Sequence, residues 1–72
     1  MTTPINPYTA MDHPFLRRRV RDIACGAEGE LMAVVREKVG RHDGQAFYAT
    51  LAYIRMKSGR EFSTAVTNIE AA

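Results

Sequence analysis

Seventy-two residues with 46% hydrophobic and 25% charged content leave room for one small core, and a chain of this size buries only about 60% of the surface it exposes when unfolded. A single cysteine, Cys25, excludes an internal disulfide and a cysteine-only metal site, and it fits a reducing cytoplasm. The net charge of +2 comes from Arg17, Arg18, Arg19 and Arg21 set against Asp12 and Asp22, since cations and carboxylates balance over residues 27 to 72. Such a local cluster is not the broad basic field of a typical nucleic-acid binder.

Residues 1 to 11 hold Pro4, Asn6 and Pro7 with little apolar periodicity, which reads as a flexible N-terminal tail ahead of one domain over 12 to 72. This start lacks the basic and apolar regions of a signal peptide. The longest aliphatic run, Leu31 to Val35, is far short of the ~20 residues that span a bilayer. The expectation is therefore a soluble, cytoplasmic chain with no membrane partner.

Residues 12 to 25 fit two patterns. As a helix, Asp12 caps, Pro14 falls in the first turn, Leu16, Val20, Ile23 and Ala24 share a face, and Gly26 stops it. As a strand, Val20 and Ile23 fall on opposite faces unless a bulge intervenes. Periodicity alone prefers the helix. Residues 30 to 39 pose the same question: Leu31, Val34, Val35 and Lys38 have helical spacing, whereas Val34, Val35 and Val39 are stiff, β-branched residues suited to a strand. Two helices here would suggest a helix-turn-helix.

Gly40-Arg41-His42-Asp43-Gly44 reads as a flexible connector whose Asp-Gly pair suits positive φ. It leads into a β-hairpin. Ala46 to Met56 is aromatic and β-branched, Lys57-Ser58-Gly59-Arg60 supplies the turn, and Phe62, Thr64 and Val66 alternate onto one side. On the first strand, Phe47, Leu51 and Tyr53 oppose Tyr48, Ala52, Ile54 and Met56, so both faces are partly apolar, as where a strand curls through a small barrel.

The succession Val20-Arg21-Asp22, Gly29-Glu30-Leu31-Met32-Ala33-Val34-Val35, Ala52-Tyr53-Ile54-Arg55-Met56, Ser58-Gly59-Arg60-Glu61-Phe62 and Thr64-Ala65-Val66-Thr67-Asn68-Ile69 resembles a set of short actinobacterial proteins of uncharacterised function. The resemblance covers about residues 15 to 70. It implies a mostly-β fold, a small Src-homology-three-like (SH3-like) barrel or curved antiparallel meander, with strands near 18 to 24, 30 to 38, 46 to 56 and 61 to 66. Where that family often has Gly-Gly and then Glu-Trp, this chain has Ser58-Gly59-Arg60-Glu61-Phe62. The resemblance implies no ligand. The alternative is an α+β fold with two N-terminal helices and a C-terminal β-hairpin.

Catalytic chemistry is sparse. His13 beside Asp12 and His42 beside Asp43 are neighbours in sequence and read as cap or turn residues, not as a dyad or metal site. Cys25 follows a run of arginines that would favour a reactive thiolate, although a lone cysteine is more often a small core or turn residue. Gly26-Ala27-Glu28-Gly29 has a backbone-approaching Gly-x-x-Gly spacing, but Glu28 sits where phosphate would come, so it reads as a β-turn. No nucleophile elbow, Walker loop or dinucleotide fingerprint is present. The expectation is a non-enzymatic interaction module without cofactor or metal.

Two functional classes stay open. One is a protein-binding adapter or accessory protein, presenting Tyr48 and Tyr53, or a homodimer formed through exposed barrel edges. The other is a nucleic-acid-binding regulatory protein using Arg17, Arg18, Arg19 and Arg21 together with Arg55, Lys57 and Arg60.

Overall fold

A computed structural model describes residues 8–72. Six strands form one antiparallel sheet: β1 (Tyr8–Met11), β2 (Arg19–Asp22), β3 (Glu28–His42), β4 (Gln45–Arg55), β5 (Glu61–Ala65) and β6 (Ile69–Ala71). A single 3-10 turn, Val66–Asn68, links β5 to β6. The strand order is β5-β4-β3-β2-β6, and β1 pairs with β3 beyond the point where β2 ends. The mostly-β expectation holds. The two N-terminal helices, and with them the helix-turn-helix, do not form.

Residues 14–18 make a turn and a bend ahead of β2. There Arg17 adopts a left-handed φ of 66°, held by its N–H donating to the Leu31 carbonyl at 2.8 Å. Val20 and Asp22 then point inward while Ile23 is 58% exposed, so the apolar face that a helix over 12–25 required does not exist. Asp22 organises the next turn. Its carboxylate accepts from the Ala24 N–H at 2.9 Å and from the Cys25 thiol at 3.3 Å, and its carbonyl accepts from Gly26 N–H at 2.7 Å.

Two expectations are corrected at β3. Glu28 and Gly29 belong to the strand and not to a Gly-x-x-Gly turn, and Gly40 to His42 extend the strand instead of starting a loop. The connector shrinks to Asp43 and Gly44, with φ of 49° and 77°, the two positive angles that a tight hairpin of matching twist requires. Residues 8–11, read from the sequence as part of the tail, form β1, with Ala10 opposite Val35 and Met11 opposite Val34. The rest of that expected tail lies outside the described residues.

The core is Val20, Leu31, Val34, Ala52, Ile54 and Ile69, with Phe15, Leu16, Phe62 and Val66 packed against it. Each fully buried aliphatic side chain contributes about 1.5–3 kcal/mol relative to exposure. All six lie on one side of a curled sheet, between residues 20 and 34 of the first half and 52 and 69 of the second. Gly29 lets β3 pass close to the end of β4. A Cβ there would lie 2.4 Å from the Arg55 carbonyl oxygen.

The β3–β4 hairpin runs on past this core. From Arg36 to His42 and from Gln45 to Thr50 no residue is buried, so the hairpin becomes a two-stranded arm, flanked at its base by β1.

Candidate functional site

The arginine cluster sits on and just before β2, where antiparallel pairing places carboxylates beside it. Arg19 Nε donates to Glu28 Oε1 on β3 at 3.2 Å, Arg17 lies 3.5 Å from Glu30, and Arg21 lies 3.4 Å from Glu70 on β6. The Arg21 Nε atom is itself buried, and at this distance its alignment does not make a hydrogen bond. Arg18 alone of the four is exposed with no ion pair among the described residues. A ladder of exposed pairs adds little stability, but each glutamate sets one negative charge beside one arginine.

Arg55, Lys57 and Arg60 gather around the β4–β5 turn at the same end of the sheet as the cluster, where Glu30 of β3 stands between Arg19 of β2 and Arg55 of β4 in one cross-strand row. Arg55 pairs with Glu61 at 3.5 Å. Lys57 and Arg60 are exposed in the turn, which is closed by Met56 N–H donating to the Arg60 carbonyl at 2.7 Å and carries Gly59 at φ 89°. The positive φ expected of the Lys57 to Arg60 turn is thus at Gly59.

Tyr53 shares the outward face of β4 with Arg55, two residues on, but Tyr48 does not join these cations. Arg55 lies seven steps of extended β4 from Tyr48, roughly 23 Å at the usual strand rise, and these two side chains point to opposite faces. Tyr53 is half-buried on the face away from the core, and its hydroxyl donates to Glu37 Oε1. Tyr48 is 44% exposed on the arm. It faces Lys38 across the ladder, and the Arg36 guanidinium carbon sits 5.1 Å from its ring centroid, within cation–π range.

The arm concentrates features that the sequence did not bring together. Val39 is 57% and Phe47 49% exposed beside Tyr48, and His42 and Phe47 rings lie 6.3 Å apart near the tip. Asp43 pairs with His42 at 3.2 Å. The available signal was the Asp43-Gly44 pair between two long β-forming segments, which marks a two-residue hairpin with its arms in register.

Among the described residues, the backbone of the arm also has an open side. β5 covers β4 only from Leu51 to Arg55. The two register shifts of the β3–β4 ladder fall at Met32 and Val39 of β3, so β4 alternates regularly. Met56 N–H points toward β5, and stepping back by twos places the N–H and C=O groups of Thr50, Tyr48 and Ala46 on the same, uncovered edge.

Elsewhere, His13 behaves as a turn residue, whereas His42, expected in a turn, ends β3 opposite Gln45. His13 Nδ1 accepts from Phe15 N–H at 3.0 Å, and its own N–H donates to Asp12 at 3.0 Å. Cys25 is exposed, and its thiol contacts the Asp22 carboxylate, not one of the upstream arginines. Among the described residues, no group of three or more His, Cys, Asp or Glu side chains is placed to share a metal ion, and no helix is long and apolar enough to cross a membrane. No family model, curated protein or solved structure matches the chain.

Proposed function

We propose that this chain is a non-catalytic, cytoplasmic protein-interaction module of the SH3-like kind, and that the β3–β4 arm is its contact surface. The strand order β5-β4-β3-β2-β6, with a 3-10 turn between the last two strands, supports the SH3-like reading. One observation carries the functional one: a β-ribbon outside the core exposes Val39, Phe47 and Tyr48, the last two on opposite faces, whereas three of the four clustered arginines are paired with glutamates. Exposed apolar clusters of this type mark protein contacts. Polyanion binding instead draws on uncompensated cations.

The test places a photo-crosslinking residue at Phe47 or at Arg18 in native cells. Protein adducts at position 47 and none at position 18 are expected. Nucleic-acid adducts at position 18 would favour the arginine cluster and overturn this reading.

A further inference from the structure

A sheet edge left open is a template for another strand, and folded proteins usually blunt it with charge, proline or a bulge. Resting on the reading of the arm as a protein contact, we infer that its partner is a second copy of this chain, paired antiparallel along the outer edge of Gln45–Thr50 with the two-fold axis at Tyr48. The other open edges are poorer. The β3 tip carries Lys38, Arg41 and His42, β5 carries Glu61, β6 at the far end has three residues and carries Glu70, and β1 offers four among the described residues. Gln-Ala-Phe-Tyr-Ala-Thr, from Gln45 to Thr50, contains no charge, no proline and no glycine, so the paired strands themselves set no like charges opposite each other, and the Arg36 guanidinium of each copy stays on its own Tyr48 ring.

The register follows from two constraints. Residues facing each other across an antiparallel ladder must both turn their backbone groups toward it, which restricts pairing to Ala46, Tyr48 and Thr50. The partner's strand must also stop where β5 begins to cover β4 at Leu51. Centring on Tyr48 meets both, with Ala46 of each copy opposite Thr50 of the other. Tyr48 then meets Tyr48 on one face, and Phe47 lies opposite Ala49 on the other, a large residue against a small one. Three N–H and three C=O groups per copy become bonded, and the two arms form a four-stranded ribbon. An interface of this length falls at the small end of specific contacts, so the dimer is reversible and concentration-dependent.

Sedimentation equilibrium on the full chain, from about 10 µM to about 1 mM, tests this. The mass should rise from one chain toward two and no further. Tyr48→Lys and Tyr48→Glu, which set like charges opposite each other, should each raise the dissociation constant at least roughly tenfold, and an equimolar mixture of the two should recover the dimer. If either variant loses the strand signature of the parent, N-methylation of the Tyr48 amide in a synthetic chain removes the outward donor without touching the β3 ladder, and should have the same effect. A chain that is monomeric throughout, a dimer indifferent to these changes, or open-ended assembly overturns the inference. A monomer whose adducts at position 47 contain a different protein leaves the arm as a contact surface and removes only the second copy. The absence of protein adducts there removes the reading beneath it.

Discussion

Glycine carries different constraints at different positions of this chain. At Gly29 the obstacle is space, because a Cβ would meet the Arg55 carbonyl oxygen at 2.4 Å and Ile54 Cγ2 at 2.8 Å, and a backbone group held in the sheet cannot rotate away. We expect Gly29→Ala to cost about 1–3 kcal/mol, the usual range for overpacking, as read by chemical denaturation. At Gly59 nothing lies within 4 Å but φ is +89°. There Gly59→Val should lose on the order of 1 kcal/mol or more through backbone strain alone. Gly40 has open space and no positive φ, so the same measurement should find Gly40→Ala unchanged or more stable by up to about 1 kcal/mol. A uniform response of the three positions would contradict these separate causes.

At the scale of elements, the sequence exposed the β4–β5 hairpin because nothing interrupts its alternation: Ala52 and Ile54 are buried opposite Thr64 and Phe62, and the turn holds its glycine where positive φ is needed. β3 was hidden by its own irregularity. The extra residue Met32 between Leu31 and Ala33 puts Leu31 and Val34 on the same face three residues apart, which is the spacing of a helix. β2 is too short to show a period, and its inward positions, Val20 and Asp22, include a carboxylate that no hydrophobic pattern would count. The open edge of the arm was illegible for another reason, since it depends on where β5 stops, a long-range property of the sheet. The arm and the core should also respond differently to substitution. Phe47→Ser, at a half-exposed site outside the core, should change stability by no more than about 0.5 kcal/mol, whereas Leu31→Ala, fully buried, should cost about 2–5 kcal/mol. Thermal or denaturant unfolding distinguishes them, and a large loss at Phe47 would mean that the arm belongs to the folded core of a single chain.

For the whole molecule, the radius of gyration of 13.8 Å exceeds the ~11 Å expected of a compact domain of this length, and six buried hydrophobic residues are a small core to hold it. The projecting arm accounts for both: it adds length and surface without adding burial, and covering its edge supplies backbone hydrogen bonds that one chain cannot make. The charge distribution acts in the same direction. With Arg17, Arg19 and Arg21 paired, only Arg18 of the cluster is left for a phosphate, so its contribution to log K against log salt should not exceed a slope of about −0.9 on duplex DNA. A titration at low salt that gave a slope near −3.6, the value for all four, would show that the glutamates yield their partners to nucleic acid.

Amide exchange resolved by residue, at low and at high protein concentration, tests the role of the arm most directly, because β4 carries its own internal control. Gln45, Phe47 and Ala49 face β3, while Ala46, Tyr48 and Thr50 face outward. Raising the concentration should slow the amides of Ala46, Tyr48 and Thr50 and leave those of β2 unchanged. Identical exchange at both concentrations, or slowing centred on Arg19 to Asp22, would contradict the assignment of this edge as the contact surface.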